Sequence, residues 1–233
     1  MSTLRNNLSI FRKPITAALF VTLSALVGFF ALPSVAASEA KPATIIVLGD
    51  SLSSEYGISR GTGWVQLLRQ RLEKSFKPVP TVINASISGD TTSGGLTRLP
   101  PLLAQYKPDV VIIELGGNDA LRGLKLKMTE DNLTSMVRLS QKAGAAVVLA
   151  GMQIPPNYGP AYTEKFRELY PKVAKASGAL LIPFLLAGLE TDRSLFIEDG
   201  IHPSEAAQPL LLNNVWPSVK LALTALQFGM GKK

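Results

Sequence analysis

Residues 44–53 have the sequence Thr-Ile-Ile-Val-Leu-Gly-Asp-Ser-Leu-Ser. The first five are aliphatic or β-branched, and the run is too short for a buried helix, so it predicts a buried strand of a parallel sheet. Ser51 then follows that strand at the carboxyl edge of the sheet, where open α/β folds bind ligands. Asp, Ser and Gly are also ordinary turn and capping residues. Residues 49–53 alone therefore fit either a turn or a nucleophile.

Aliphatic runs alternate with amphipathic segments along most of the chain. Strands are predicted at residues 43–48, 81–85, 109–115, 145–150 and 179–183. Helices are predicted at 64–72, in a segment ending near 106, and at 129–143, 162–176 and 204–227. This alternation implies right-handed crossovers and an α/β fold with a five-stranded parallel sheet between helices. Residues 184–203 are assigned to no element.

Prolines and one threonine set the expected helix boundaries. Thr129 is a predicted N-cap, and Gly144 closes that helix. Because proline lacks the backbone N–H, helix irregularities are predicted at Pro100-Pro101, Pro171, Pro209 and Pro217.

The composition restricts the chemistry. The 233 residues are 46% hydrophobic, enough for one substantial core. There is no cysteine, which excludes disulfides, thiolate metal sites and a cysteine nucleophile. The single histidine, His202, excludes a multi-histidine metal site, so any histidine base must be this residue.

The N-terminal region has the layout of a secretory signal peptide. Residues 1–14 are polar and basic, 15–32 are almost wholly apolar, and 33–37 supply small residues at cleavage spacing. We expect cleavage after Ala36 or Ala37, with an uncleaved membrane anchor as the alternative. The remaining chain divides into a linker at 37–42, a single domain at 43–227 and a tail at 228–233. The expected location is the periplasm, with the extracellular space as the alternative.

The net charge does not indicate nucleic-acid binding. The formal charge is +7, but Arg5, Arg12 and Lys13 lie in the predicted signal peptide. Without them, 21 basic and 17 acidic residues leave +4. No basic run with interleaved aromatic residues remains, so this mild basicity is interpreted as a contribution to solubility.

Four polar segments are expected to converge. Ser51, Gly89 and Asn118 follow the first, second and third strands, and parallel strands present their carboxyl ends on one side. Asp199-Gly200-Ile201-His202-Pro203 lies near the C-terminus. Asp199 is three residues before His202, so its carboxylate can reach one imidazole nitrogen while the other faces Ser51. Individually, each residue also fits a turn, cap, loop or surface position.

Nucleophilic catalysis by serine requires these residue types. A neutral imidazole takes the hydroxyl proton, and a carboxylate holds the imidazole in the required tautomer. The negative oxygen of the tetrahedral intermediate needs donors. The Ser51 N–H, the backbone at Gly89 and the Asn118 amide would supply three.

These four segments resemble the four sequence blocks of the SGNH, or GDSL-type, hydrolases. The resemblance extends over about residues 43–220 and is nearest to the bacterial periplasmic branch of acyl-CoA thioesterases, lysophospholipases and arylesterases. It implies a flavodoxin-like three-layer α/β/α fold. It also implies a catalytic Ser51, His202 and Asp199, with Ser51, Gly89 and Asn118 forming the oxyanion hole. The substrate-binding residues expected from the resemblance are Asp50, Leu121, Ile154, Pro156 and Tyr158.

Two segments bear on the substrate. Pro155-Pro156 makes the loop after the fourth strand shorter than is usual in this branch, so the branch's acyl-chain preference is not carried over. Leucines alternate with basic residues over 121–128. This pattern fits either a packed crossover or a mobile lip over an acyl pocket that faces a lipid headgroup or membrane surface.

The predicted function is a serine esterase or thioesterase that forms an acyl-enzyme intermediate on aryl esters, acyl thioesters or lysophospholipids. No metal and no organic cofactor is expected. The predicted partner is a small-molecule acyl ester or thioester, with transient membrane-surface contact, no nucleic acid and a monomeric state. The alternatives are a carbohydrate O-deacetylase of the same fold and a non-catalytic envelope binding protein.

Overall fold

The structure of the protein, a computed structural model, describes residues 41–228. The predicted signal peptide at 1–36 lies outside the described residues. So do residues 37–40 of the predicted linker and 229–233 of the predicted tail.

Five strands form one parallel sheet in the order β2-β1-β3-β4-β5. The predicted α/β fold with a five-stranded parallel sheet is therefore confirmed. Central strands β1 and β3 are almost wholly buried, because helices cover both faces of a parallel sheet, and they are correspondingly aliphatic. The strands are β1 (Thr44–Gly49), β2 (Thr81–Asn84), β3 (Val110–Glu114), β4 (Ala146–Ala150) and β5 (Leu180–Ile182).

Six α-helices are found among the described residues. One group, α1 and α6, packs together, while α2, α4 and α5 pack together in a second group, with the sheet between the two groups. The helices are α1 (Trp64–Ser75), α2 (Thr92–Tyr106), α3 (Gly117–Leu121), α4 (Leu126–Lys142), α5 (Pro160–Ser177) and α6 (Gln208–Gln227). Short 3-10 turns occur at Pro156–Tyr158, Arg193–Leu195 and Glu205–Ala207.

The interruption predicted near Pro100-Pro101 is wrong, and the other prolines for which irregularities were predicted also lie within continuous helices. Helices α2, α5 and α6 each continue through internal prolines, and Pro209 lies in the first turn of α6, where proline fits. The internal prolines lie on exposed helix faces, where water can bond the carbonyls that lose an N–H partner. They are Pro100, Pro101, Pro171 and Pro217.

The predicted N-cap at Thr129 is also wrong. Helix α4 begins at Leu126, with Lys125 as its N-cap. Thr129 is buried inside the first turns, and its Oγ1 donates to Asp119 Oδ1 over 3.3 Å. A tertiary hydrogen bond therefore uses the hydroxyl that the sequence had suggested for capping.

No helix within residues 41–228 combines the length and apolar character needed to cross a membrane.

Candidate active site

Ser51 occupies a tight turn directly after β1. The N–H groups of Ser53 and Ser54 donate to the Asp50 carbonyl over 3.3 and 3.0 Å, which turns the chain at the sheet edge. Gly49 is required at the strand end, because a Cβ there would lie 2.7 Å from Glu114 Oε2 and 2.8 Å from Ser53 Oγ. The turn leaves Ser51 9% exposed.

His202 links Ser51 to Asp199. Its Nε2 lies 2.9 Å from Ser51 Oγ, and its Nδ1 lies 2.6 Å from Asp199 Oδ2. An ionised carboxylate only accepts hydrogen bonds, so Nδ1 carries the proton. In the neutral imidazole, Nε2 is then the acceptor for the Ser51 hydroxyl. The structure brings together the three residues that the sequence suggested as a triad.

The segment that carries Asp199 and His202 is a narrow reversal of the chain. Phe196 pairs with Pro203 in an isolated antiparallel bridge, and Ile197 N donates to His202 O over 2.9 Å. Gly200 has φ +67°, a left-handed conformation that suits glycine. This geometry places the Asp199 carboxylate within hydrogen-bond distance of both the backbone N–H and the ring of His202.

The Asp199 carboxylate is held in its charged form. Partial burial raises the pKa of the Asp199 carboxyl, but hydrogen bonds outweigh that effect and lower the pKa below its ordinary value. Its Oδ1 accepts the N–H groups of His202 and Ile201 over 3.0 and 2.8 Å, and the imidazole donates to Oδ2. A fixed carboxylate of this kind orients the imidazole and stabilises its protonated form.

Tyr56 covers one side of His202. The ring centroids are 4.5 Å apart and the rings are tilted by 46°, while Tyr56 remains 50% exposed. Tyr56 thus restricts the orientation of the imidazole and also lines a polar groove beside it.

Gly89 follows β2 in a turn with φ +77°, a left-handed conformation that favours glycine. Its carbonyl accepts a hydrogen bond from Arg122 Nη2 over 2.9 Å, which ties this loop to the end of α3. Among the described residues, neither Gly89 N–H nor Ser51 N–H donates to a protein acceptor. Both donors are therefore free to bind a ligand oxygen.

Arg98 on α2 fixes the loop that carries Gly89. Its Nε donates to Asp90 Oδ2 over 2.6 Å, and its Nη2 donates to Gly49 O over 3.1 Å. Its Nη1 donates to Ala85 O. One guanidinium thus connects the carboxyl ends of β1 and β2 to the residue after Gly89.

Asn118 lies in α3, a short helix that the sequence had not predicted. Its Nδ2 donates to Asp50 Oδ2 over 3.0 Å. Neighbouring Asp119 is buried and accepts Thr92 N over 2.8 Å, which fixes α3 to the start of α2. Asn118 is therefore held from both sides at the sheet edge.

Two acids are buried beneath Ser51. Burial raises the pKa of Asp50 to about 6, although hydrogen bonds from Leu52 N–H and the Asn118 amide oppose the shift. Burial, reinforced by the Asp50 charge, raises the pKa of Glu114 well above its ordinary value. Glu114 Oε2 accepts Ser53 Oγ over 2.7 Å and Asp50 N over 3.2 Å. Burial thus favours the neutral form of Glu114, whose Oε2 supports the turn through these two hydrogen bonds.

The other residues expected at the substrate site occupy different environments. Asp50 is 2% exposed, and its carboxylate accepts the hydrogen bond from Asn118. Ile154 is buried, Leu121 is half-buried against the core, and Tyr158 is exposed. Pro156 begins a 3-10 turn, and its side chain lies outside the described part of the structure.

Residues 121–128 favour the packed-crossover interpretation. Leu121 and Leu126 pack against the core, while Lys125 and Lys127 are exposed. Tyr162 Oη donates to the Leu124 carbonyl over 3.0 Å, which ties the crossover to α5.

A model of the GDSL-like lipase/acylhydrolase family matches residues 47–209, which include Ser51, Gly89, Asn118, Asp199 and His202. The chain belongs to this family. The family resemblance and the enzyme class predicted from the sequence, a hydrolase of acyl esters, are confirmed.

Similar proteins and structures carry related names. The chain is 49% identical to esterase TesA of Pseudomonas aeruginosa, over 78% of this chain and 90% of that protein. It is 41% identical to thioesterase 1/protease 1/lysophospholipase L1 of Escherichia coli K12, over 72% of this chain and 79% of that protein. The crystal structure of psychrotrophic esterase EstA from Pseudoalteromonas, inhibited by monoethylphosphonate, has a TM-score of 0.72 and 41% identity, covering 78% of this chain and 98% of EstA.

Several residues around this GDSL-like site were not singled out from the sequence. Glu114 had a signal, since it is the one acid in an otherwise aliphatic strand. Arg98 and Tyr56 had none, because their contacts join segments that are distant along the chain. Within residues 41–228, no three His, Asp or Glu side chains are placed to share a metal ion.

Proposed function

We propose that this GDSL-like acylhydrolase uses Ser51 as nucleophile, His202 as general base and acid, and Asp199 as the residue that orients His202. The observation that supports this assignment best is the continuous connection from Ser51 Oγ through His202 to Asp199, with contacts of 2.9 and 2.6 Å. Both lie within the range expected for a nucleophile, its base and the group that orients the base.

The proposed reaction has two acyl-transfer steps. His202 Nε2 accepts the Ser51 proton as Oγ attacks the acyl carbonyl. The tetrahedral intermediate collapses, its bond to the leaving oxygen or sulfur breaks, and His202 gives the proton to the leaving group. Water, deprotonated by His202, then attacks the acyl-enzyme, and the carboxylic acid leaves as Ser51 regains its proton.

The proposed oxyanion donors are Ser51 N–H, Gly89 N–H and the Asn118 amide. The first two are free of protein acceptors among the described residues, and the third is oriented by Asp50. Donors fixed before the reaction stabilise developing negative charge without reorganisation.

The proposed substrates are aryl esters, acyl thioesters and lysophospholipids. Thioester and lysophospholipid hydrolysis are suggested by the name of the E. coli relative. We also propose a monomer that contacts a membrane surface transiently. Ile87 and Ile201, which are 54% and 48% exposed, lie next to the Gly89 and His202 segments and would face that surface.

The proposed location is the periplasm, after cleavage behind Ala36 or Ala37. The support is the order of basic, apolar and small residues over 1–37. Intact-mass measurement of the exported protein tests the cleavage, and a mass that includes residue 1 would contradict it.

Covalent labelling tests the catalytic assignment. An alkyl fluorophosphonate should add one phosphonyl group to the protein and abolish ester hydrolysis. Peptide mass spectrometry should locate that group at Ser51. The Ser51→Ala variant should neither be labelled nor hydrolyse esters, while Ser75→Ala, at an exposed position at the end of α1, serves as a labelled control. Stoichiometric labelling at another residue, or full activity in His202→Ala, would refute the assignment.

A panel of substrates separates the functional alternatives. Para-nitrophenyl esters, long-chain acyl thioesters, lysophospholipids and acetylated sugars are compared by kcat/KM. A preference for acetylated sugars alone would favour the O-deacetylase, and binding without turnover or labelling would favour an envelope binding protein.

A further inference from the structure

A polar groove of about 560 Å³ borders the candidate active site on the side of Tyr56. Its walls come from the loop after Ser51, from α1 and from the segment that ends β2 and leads to Gly89. Aliphatic side chains are absent from its described lining, so the groove does not suit an acyl chain. The lining includes Tyr56, Arg60, Arg69, Asn84, Ser86 and Ser88.

The groove lies next to two parts of the proposed reaction centre, the His202 ring and the Gly89 turn. Tyr56 is in ring contact with His202, and Ser88 directly precedes Gly89. In the proposed mechanism, His202 Nε2 must reach the leaving oxygen or sulfur to protonate it. Because Tyr56 contacts this imidazole and also lines the groove, the groove is placed to receive the alcohol or thiol part of the substrate.

The lining of the groove holds two arginines and one carboxylate, and so carries a net positive charge. Arg60 is exposed and has no hydrogen bond or ion pair with the described residues. Arg69 binds only neutral acceptors, the Val82 carbonyl over 3.1 Å and Gln66 Oε1 over 2.9 Å. The one carboxylate in the lining, Glu55, accepts the N–H groups of Gly61 and Gly63 over 3.0 and 2.9 Å.

These three observations share one consequence. We propose that the groove binds a phosphate group on the alcohol or thiol part of the substrate, with Arg60 contacting the phosphate and Arg69 adding positive charge. A guanidinium presents several N–H donors in a geometry that matches phosphate oxygens. The inference rests on the proposed function and goes beyond it by assigning the leaving group its own binding site. The phosphate belongs either to a lysophospholipid headgroup or to the nucleotide part of an acyl-CoA.

The test compares four substrates that share one dodecanoyl chain. Lauroyl-lysophosphatidylcholine and lauroyl-CoA carry phosphate, whereas monolauroylglycerol and para-nitrophenyl laurate do not. All are used below the concentrations at which they form micelles. The readout is the ratio of kcat/KM for each phosphate-bearing substrate to kcat/KM for the neutral esters.

Arg60→Gln should lower this ratio about tenfold, the effect expected when one hydrogen bond to a charged group is lost at a solvent-accessible position. The loss should appear mainly in KM and should shrink as ionic strength rises. A loss for the lysophospholipid alone identifies the headgroup as the source, and a loss for the CoA ester alone identifies the nucleotide. Either supports the proposal.

Arg138→Gln is the matched control, because Arg138 is an exposed arginine on α4, in the helix layer opposite α1. It should leave the ratio unchanged. An unchanged ratio in Arg60→Gln, or an equal fall in Arg138→Gln, overturns the phosphate site. Wild-type protein that hydrolyses none of the four esters would instead contradict the proposed function, so the two failures are distinguishable.

Discussion

The side-chain amide of Asn118 donates a hydrogen bond to the carboxylate of Asp50, with 3.0 Å between Nδ2 and Oδ2. An amide nitrogen carries two hydrogens, so one is fixed on Asp50 and the other remains for a ligand. Asp50 directly precedes Ser51. The residue that begins the turn of the proposed nucleophile therefore also orients a proposed oxyanion donor.

Removing the Asp50 carboxylate should impair turnover. In Asp50→Ala, the Asn118 amide loses its acceptor, and kcat is expected to fall by about 100-fold, the lower end of the cost of losing one oxyanion donor. Asp50→Asn keeps an acceptor oxygen and should retain most of the activity. Steady-state kinetics on a para-nitrophenyl ester measure both. Equal losses in the two variants would show that the Asp50 charge, and not its hydrogen bond to Asn118, matters.

Asp199→Asn should be far more damaging than its exposed position suggests. An amide in place of the carboxylate can donate to Nδ1 and stabilise the tautomer that leaves Nε2 protonated, so kcat should fall by about 10,000-fold. Phosphonate labelling of Ser51 should slow in parallel. Asp192→Asn, an exposed acid on the same segment, is the control and should behave as wild type. Rapid turnover by Asp199→Asn would contradict the proposed role.

Glu114→Gln should alter the pH dependence of stability. Because the folded protein raises the pKa of Glu114 above its ordinary 4.5, the folded state retains a proton that the unfolded state releases. Stability is therefore full below the unfolded pKa and falls as pH rises towards the folded pKa, by at most about 1.4 kcal/mol per pH unit. The glutamine is neutral throughout and removes this loss.

Urea unfolding between about pH 5 and about pH 8 measures the effect. The free energy of unfolding of Glu114→Gln, relative to wild type, should rise with pH. Glu73→Gln, at an exposed position on α1, should show no such trend. A difference that stays constant or falls with pH would contradict a neutral Glu114.

Arg98→Ala should destabilise the sheet edge and slow the reaction. It leaves Asp90 unpaired and removes donors from the Gly49 and Ala85 carbonyls, at a cost of about 3 kcal/mol. Thermal unfolding and kcat report the two effects. Arg167→Ala, which breaks an exposed pair with Glu164, should leave both unchanged. Wild-type stability in Arg98→Ala would show that Gly89 is positioned by other contacts.

The sequence predicted the architecture because burial on both faces leaves a clear pattern. All five strands follow from aliphatic runs, and the carboxyl edge of the sheet explains why Ser51, Gly89 and Asn118 approach one another. The pair Asp199 and His202 was predictable because their spacing is local.

Features that depend on tertiary contacts were not predictable in this way. Pro100 removes one backbone hydrogen bond from its helix, but it lies on an exposed face where water can bond the freed carbonyl, and this exposure depends on the tertiary fold. The sequence around Thr129 fits a helix N-cap, but in the fold its hydroxyl donates to Asp119, which lies on another helix. The ring contact of Tyr56 with His202 and the links made by Arg98 join distant segments, for which no local pattern exists.

The two halves of the proposed triad differ in how they are anchored. Ser51 lies in the turn directly after the buried strand β1, whereas His202 and Asp199 lie on an exposed segment closed by the bridge between Phe196 and Pro203. Such segments open locally at lower free energy than the core. Urea should therefore abolish activity before it reduces the helical circular dichroism signal, and coincident transitions would contradict this. The protein would lose its catalytic activity while most of its fold is intact. It would regain that activity when the segment between Phe196 and Pro203 closes again.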